Sequence, residues 1–268
     1  AIHAENATVF IDGCRFDNNT NGKGWGGAIS LVNATAQINR CDFVANGDGA
    51  NTLGGSAIAA ASSNTIITNS TFTDNVSSQD GAIYVQKGTH TFSRLYIANN
   101  QTSFGGSGLT ALLGADVTAT NLVMSNDGLV GTNPIYIQDS DFSLISSTLY
   151  SNRAPFTCDT VIPSTIVNSI IWTEDTYGVA AGAETPIVSY SIVKGGYAGT
   201  GVYDVDPEFV LSPDNLQLQS TSPAIDAADG DRAPGADYLN VLRQDAPAVD
   251  TGAGTPSYVD IGAYEYVP

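Results

Sequence analysis

Gly26-Gly-Ala-Ile29 and Phe43-Val-Ala-Asn46 are the two halves of a pattern that decides the fold, because both halves recur along the chain. The second half is an apolar residue followed three places later by Asn. It returns as Phe16-Asp-Asn-Asn19, Phe72-Thr-Asp-Asn75, Ile97-Ala-Asn-Asn100, Val123-Met-Ser-Asn126 and Leu149-Tyr-Ser-Asn152. Successive Asn residues lie 27, 29, 25, 26 and 26 positions apart. The first half keeps the same step, as Gly54-Gly-Ser-Ala-Ile58, Gly81-Ala-Ile83 and Gly105-Gly-Ser-Gly-Leu109. A fixed period of this length is the mark of a repeat architecture.

Locally the repeat reads as strand. Thr65-Ile-Ile-Thr-Asn-Ser-Thr-Phe72, Ala82-Ile-Tyr-Val85 and Pro134-Ile-Tyr-Ile137 are rich in β-branched and aromatic residues and bounded by Gly, Asn and Asp, which end strands in turns. No segment keeps a helical period for three turns. The step is too long for a hairpin, and no helix is available for a crossover. It suits a coil of two or three short strands joined by turns, each coil stacking on the last at about 4.8 Å. The expected fold is all-β: a parallel β-helix of about eight coils.

Alternate residues of a strand share a face. Phe16, Phe43, Phe72, Ile97, Val123 and Leu149 are therefore expected to stack inward, with Cys14, Cys41, Ser70, Leu95, Asn121 and Ser147 beside them, two positions earlier. The Asn residues fall at the turn after the strand, where stacked amides form a ladder. The most repeated residues are thus scaffold. Cys14 and Cys41 become neighbours on adjacent coils, as a disulfide or as two stacked thiols; bridging in-register parallel neighbours is geometrically awkward. With Cys158 they show no CxxC spacing, and His3 and His90 are 87 residues apart, so nothing here builds a zinc site.

The 268 residues carry 9 Lys plus Arg against 27 Asp plus Glu, a formal net charge of -18. Of the acids, 22 are Asp and 5 are Glu; Asp serves turns better than helix interiors. A basic footprint for phosphates is missing, which excludes nucleic acid and disfavours anionic membranes and polyanionic sugars. There is no apolar run of membrane-span length. Nor does the chain open on a basic and apolar leader, so any signal peptide is expected to have been removed. Charged residues make up only 13%, and a Lys-poor surface of Asn, Thr, Ser and Gly points to an extracellular or cell-surface setting.

The pairing of GGAI with FxxN at this period resembles the repeats of chlamydial polymorphic outer-membrane proteins and related bacterial surface β-helix proteins. That resemblance implies a right-handed coil. Nearer the C-terminus, Asp206-Pro-Glu-Phe209, Ser222-Pro-Ala-Ile-Asp226, Arg243 and Asp260-Ile-Gly-Ala-Tyr-Glu-Tyr266 resemble the "choice-of-anchor Q" region that ends bacterial surface β-helix proteins. Its usual DxxGxxR reads here as Asp237-Tyr-Leu-Asn-Val-Leu-Arg243, without the Gly. The resemblance implies a surface location and no defined activity. Coils are expected over residues 1–200. Residues 201–268 hold 7 of the 11 Pro and 10 of the 22 Asp, and are expected to form an irregular cap over the open end of the solenoid. Ala1-Ile2 aligns with Ala28-Ile29, Ala57-Ile58 and Ala82-Ile83, which leads to the expectation of a longer solenoid and of self-association through an open N-terminal coil.

Parallel β-helices also host polysaccharide lyases and glycoside hydrolases, which need calcium-binding Asp with a cationic base, or paired carboxylates. Asp is plentiful, but Lys23, Lys87 and Lys194 are the only lysines, and Arg153 is the only arginine between Arg94 and Arg232. No catalytic residue is assigned. Calcium is the ligand best suited to Asp204, Asp206 and Glu208 and to Asp226, Asp229 and Asp231, two carboxylate groups at turns; turn capping by the same side chains is the competing account. No cofactor is required. The expected function is a non-enzymatic extracellular or cell-surface structural or adhesion module, part of a larger surface protein, that meets a glycan, a protein on another surface or its own copy. A carbohydrate-active lyase or hydrolase is the first alternative, and a self-assembling filament or layer subunit the second.

Overall fold

The computed structural model describes residues 1–21, 24–47, 54–127, 133–152, 156–159, 163–180, 185–246 and 251–268, with backbone alone for 157–159 and 180. Lys23, Arg153 and the Cys158 side chain lie outside this set. The described chain is a parallel β-solenoid with three faces. The first face stacks Ile2–Glu5, Ile29–Val32, Ile58–Ala61, the start of Ile83–Ala98, the start of Gly106–Thr120, and Asn133–Gln138. The second stacks Thr8–Asp12, Thr35–Asn39, Asn64–Thr73, the long strands again, and Asp141–Ile145. On the third, Arg15–Asp17, Asp42–Val44, the end of Asn64–Thr73, the end of Ile83–Ala98, Val123–Ser125 and Thr148–Tyr150 pair in order. Every one of these pairings is parallel, as a solenoid requires. No helix among the described residues is long and apolar enough to cross a membrane.

Many corners use one two-residue device: a left-handed residue, then a ladder residue. At the corner after the third face the left-handed residues are Asn18, Ala45, Asp74, Asn99, Asn126 and Ser151; Asn and Asp tolerate this region best after Gly. The ladder residues that follow are Asn19, Asn46, Asn75, Asn100, Asp127 and Asn152. From Asn46 onward, the Oδ1 of each accepts the backbone N–H of the ladder residue one coil earlier, at 2.8–3.1 Å. The amide Nδ2 of Asn46, Asn75 and Asn100 donates onward along the ladder and also to the carbonyls of Phe16, Phe43 and Phe72. The buried backbone N–H groups of Asn46, Asn75, Asn100 and Asp127 are thus satisfied by a neighbour on the stack.

This register corrects the fifth repeat. The inward column is Phe16, Phe43, Phe72, Ile97, Met124 and Leu149, so Val123 faces out and Asn126 is the left-handed residue. Asp127 takes the ladder place that a search for Asn assigns to Asn126. The same shift puts Leu122, not Asn121, inward beside Leu95. Phe16, Phe43 and Phe72 stack face to face, with ring centres 4.9 and 4.6 Å apart and planes within 5°.

A serine ladder lines the corner after the second face. Ser147 Oγ accepts the Leu122 N–H at 3.0 Å and donates to the Ile145 carbonyl at 2.9 Å; Ser169 and Ser191 repeat this. Cys14 and Cys41 occupy the same column as free thiols, with the Cys14 N–H directed at the Cys41 Sγ at 3.5 Å. Ser147→Ala is expected to cost about 2 kcal/mol, because it strands a buried N–H; urea unfolding of the variant measures it.

The coils are not eight equal turns. Six regular ones carry the Asn ladder. Beyond them the step between facing strands falls to 22 residues, as in Ser143, Thr165 and Ile187, and then to 11 between Ser191 and Val202. In the early coils Gly26, Gly55 and Gly106 each lie so close to a carbonyl three residues on that a Cβ would sit 2.0–2.1 Å from it, which only glycine allows.

The C-terminal stretch is irregular, as its Pro and Asp content implies, apart from the antiparallel pair Phe209–Leu211 and Asn215–Leu218. Its burial differs from an end cap. Tyr197 and Val202 close over the main core, but Phe209, Leu216, Ile225, Val259 and Ile261 pack sideways on Val123, Ile170 and Ile192 of the third face. Backbone bonds from Gly262 to Asn168 and from Ala263 to Thr148 Oγ1 pin it there. The outward side chains of that face at these coils are apolar, so a flank needed covering as well as an end.

Candidate functional site

The six carboxylates proposed for calcium are dispersed over the tail's turns. Asp204 Oδ1 accepts the Gly195 N–H at 3.0 Å, Asp206 Oδ1 the Glu208 N–H at 2.9 Å, and Glu208 Oε2 the Thr221 hydroxyl. Asp229 Oδ1 caps a one-turn 3-10 helix through the Asp231 N–H, and Asp231 Oδ1 accepts from Thr255. Asp226 is fully buried, apart from the exposed Asp231. Among the described residues no three His, Cys, Asp or Glu side chains form a group able to hold a metal ion. Asp206 and Asp229 cap their own turns, while Asp204, Glu208 and Asp231 bond to residues 9, 13 and 24 positions away.

The remaining motif residues of the tail form a buried network. Arg243 Nη1 donates to Glu265 Oε2 at 2.6 Å, with side chains 6% and 0% exposed. Arg243 Nε donates to the Pro234 carbonyl, and Glu265 Oε1 accepts the Gln244 N–H. Asp237 accepts from Val241 and Glu265 backbone N–H groups; Asp260 accepts from those of Asp226 and Tyr266. Burial, then the Glu265 charge, pushes the Asp260 carboxyl up to about 8, so it holds its proton at neutral pH. Burial also pushes Glu265 up, against the pull of Gln244 and Arg243. These residues hold the tail in shape: the oxygens of Asp237 and Asp260 and the Oε1 of Glu265 each face a backbone donor, and Glu265 Oε2 faces Arg243.

An open site lies instead on the first face. Its outward positions run from His3 and Ser30 through Ala59 to Tyr84, Thr110 and Tyr136. Ala59 and Thr110 are fully buried and Ser30 and Tyr84 nearly so, so the open parts of this face lie beside the corner turns. Two clefts meet at Trp25. One, of about 480 Å³, is lined by His3, Asn21, Trp25, Ser30, Val32 and Ala61. The other, of about 500 Å³, is lined by Trp25, Gln79, Asp80, Tyr84, Gln86 and Phe104. The Trp25 and Tyr84 rings meet edge to face at 5.7 Å. Tyr84 donates its hydroxyl to Gln86 Oε1 at 2.9 Å; burial, then the Asp80 charge, pushes that phenol up to about 12, so it stays a neutral donor.

Phe104 is 70% exposed, yet its turn is fixed. The buried Thr102 hydroxyl donates to the Phe104 carbonyl at 2.7 Å, and Gly105 follows in the left-handed region at φ 70°. The turn thus holds a large apolar ring in water at the edge of the second cleft.

The tyrosines of the coils and tail between residues 150 and 203 do not build this site. Tyr150 is covered by Phe209 and Tyr197 by the core; Tyr177 and Tyr203 are exposed but line neither cleft. The available signal was a bulky aromatic among glycines and small residues in two corner turns, Gly24-Trp-Gly-Gly27 and Thr102-Ser-Phe-Gly105. Comparison with known proteins adds no assignment: no protein-family model, no curated protein and no solved structure matches the chain.

Proposed function

We propose that this chain is a non-enzymatic structural and adhesion module of an extracellular or cell-surface protein, and that it meets its partner through the first face. The observation that carries this reading is the aromatic groove, in which Trp25 and the exposed Phe104 stand in corner turns beside the buried strand residue Tyr84, at corners locked by buried ladders. Rigid aromatic anchors on a preformed surface favour binding, since little side-chain freedom is lost. Among the described lining residues Asp80 is the only carboxylate, whereas glycoside hydrolysis uses a pair. The surface setting is supported by the Lys-poor, Asn- and Thr-rich composition. The repeat grammar of the polymorphic outer-membrane proteins and the anchor-region motifs of the tail support membership of that surface class. The reading requires no cofactor or calcium.

One observation favours the hydrolase alternative. Asp206 and Glu208 share a cleft of about 420 Å³ with Tyr150 and Trp172, two carboxylates beside aromatic rings. Incubation with a panel of plant, algal and host polysaccharides separates the readings. The module is expected to be retained by at least one polysaccharide or cell surface and to release no reducing ends. Turnover that disappears in Asp206→Asn or Glu208→Gln would replace the module by the enzyme. Particles that grow in light scattering and persist on dilution would replace it by the self-assembling subunit.

A further inference from the structure

We infer that the groove around Trp25 is a binding site for an uncharged oligosaccharide, which spans two subsites along the solenoid axis; the inference rests on the surface-module reading above. Three features of the site point to this ligand class. The first is the arrangement of rings. Trp25 stands between the two clefts and belongs to the walls of both, while Phe104 is at the far side of the second, exposed and held by Thr102. Sugars present C–H faces that lie against aromatic rings, as other amphipathic ligands do.

The second feature is the rim. Gln79 and Gln86 bring side-chain amides, Asn21 one whose Nδ2 already donates to the Trp25 carbonyl at 3.3 Å, and His3 an imidazole tied to Ser30 Oγ at 3.2 Å. Amides both donate and accept, which matches hydroxyl groups that do the same. Gln86 uses its Oε1 on Tyr84, so its amide N–H groups are the part directed to a ligand. An apolar peptide or lipid would leave such a rim undersatisfied, at a cost for each buried group.

The third feature is charge. No Lys or Arg is among the described lining residues, Asp80 is the fixed charge in the second cleft, and the chain carries -18 overall. A uronate or sulfated chain would be repelled by Asp80 in the second cleft and by the net charge at long range; Lys23, in the turn that carries Trp25, lies outside the described residues. A cationic ligand would need more than one carboxylate near the rings, and the lining supplies one. An uncharged sugar chain is the ligand that suits rings, amides and a single acid together. Parallel strands set neighbouring coils at about 4.8 Å, so a groove along the axis suits an extended chain better than a single ring.

Titration calorimetry of the whole chain with soluble cello-, xylo- and mannohexaose, and with oligogalacturonate, tests the inference. At least one neutral hexamer is expected to bind, and oligogalacturonate to bind more weakly. Trp25→Ala and Phe104→Ala are each expected to lower affinity by roughly tenfold or more, with circular dichroism and melting midpoint unchanged. Phe10→Ala, an exposed ring on the second face, is expected to bind as the parent does. No binding of any neutral hexamer, equal binding by Trp25→Ala and Phe104→Ala, or tighter binding of oligogalacturonate would overturn it. If Trp25→Ala is retained on polysaccharide or cells as the parent is, the groove assignment falls and the module reading stands; if the parent is retained nowhere, the module reading itself falls.

Discussion

Arg243→Ala is expected to release the tail from the third face at a cost of about 3–5 kcal/mol, the usual penalty for removing one partner of a buried ion pair. Arg243 is the cation of an otherwise acidic cluster. Its Nη1 meets Glu265, and Asp237, Asp260 and Asp226 lie within the same run of hydrogen bonds. Without it, the Glu265 carboxylate is left in a site that burial already makes unfavourable for charge. The six regular coils have their own core and ladders, separate from the cluster under the tail. Limited proteolysis should therefore cut the variant between residues 205 and 268, while the β-sheet circular dichroism of the coils persists. The double replacement Arg243→Met with Glu265→Leu is expected to recover much of the loss, since well-packed apolar pairs often match buried ion pairs. A variant that melts with the parent and resists the protease would show that apolar contacts alone hold the tail.

This separation explains which parts of the molecule were legible in its sequence. The fold was readable because one physical demand, satisfying corner groups against the next coil, repeats at every turn and so prints FxxN and GGAI with a fixed period. Register was readable only while the printed letter stayed Asn. At the fifth corner the ladder residue is Asp127 and the left-handed residue before it is Asn126, so matching letters gave Val123–Asn126 a register one residue early. The tail's sideways docking was hidden for a different reason. Tyr96, Val123, Ile170 and Trp172 face outward on the third face, and alternation in three-residue strands is too short to show that both faces are apolar. The Asp groups of the tail were visible as turn residues, but sequence spacing does not show which backbone N–H each meets. The groove escaped because Trp25 and Phe104 are single residues in turns of different length, and only the stacking of coils brings them to one surface.

Asp127→Asn is expected to stabilise the chain by on the order of 4 kcal/mol above pH 7, and much less at pH 4. The ladder gives the reason. Asn46, Asn75 and Asn100 each place Oδ1 toward an N–H one coil back and Nδ2 toward a carbonyl. Asp127 Oδ1 plays its part, accepting from Asn100 N and Nδ2 at 2.8 and 3.0 Å. Its Oδ2 stands where the amide donor should be, is buried, and has no hydrogen-bond partner among the described residues. By the register of the ladder that atom faces the Ile97 carbonyl and Asn152 Oδ1, two acceptors, so a proton on Oδ2 converts a repulsion into a bond. Burial accordingly pushes the carboxyl from 3.8 up to about 7, against the hydrogen bonds from Asn100.

The sign follows from where the proton is held. Between pH 3.8 and about 7 the folded chain binds a proton at Asp127 that the unfolded chain has lost. Stability from this site is full below the lower value, falls as pH rises, and levels off above the upper one. Asn carries a permanent donor at the same atom and removes that dependence. Urea unfolding of parent and variant from pH 4 to 8 measures the difference directly, since His90, Asp260 and the other titrating groups are common to both and cancel. The gap between the two curves should widen steadily up to pH 7 and then stay constant. Parallel curves would mean that Asp127 is ionised in the folded ladder with its charge met by a donor, and that the fifth corner is built differently from its neighbours.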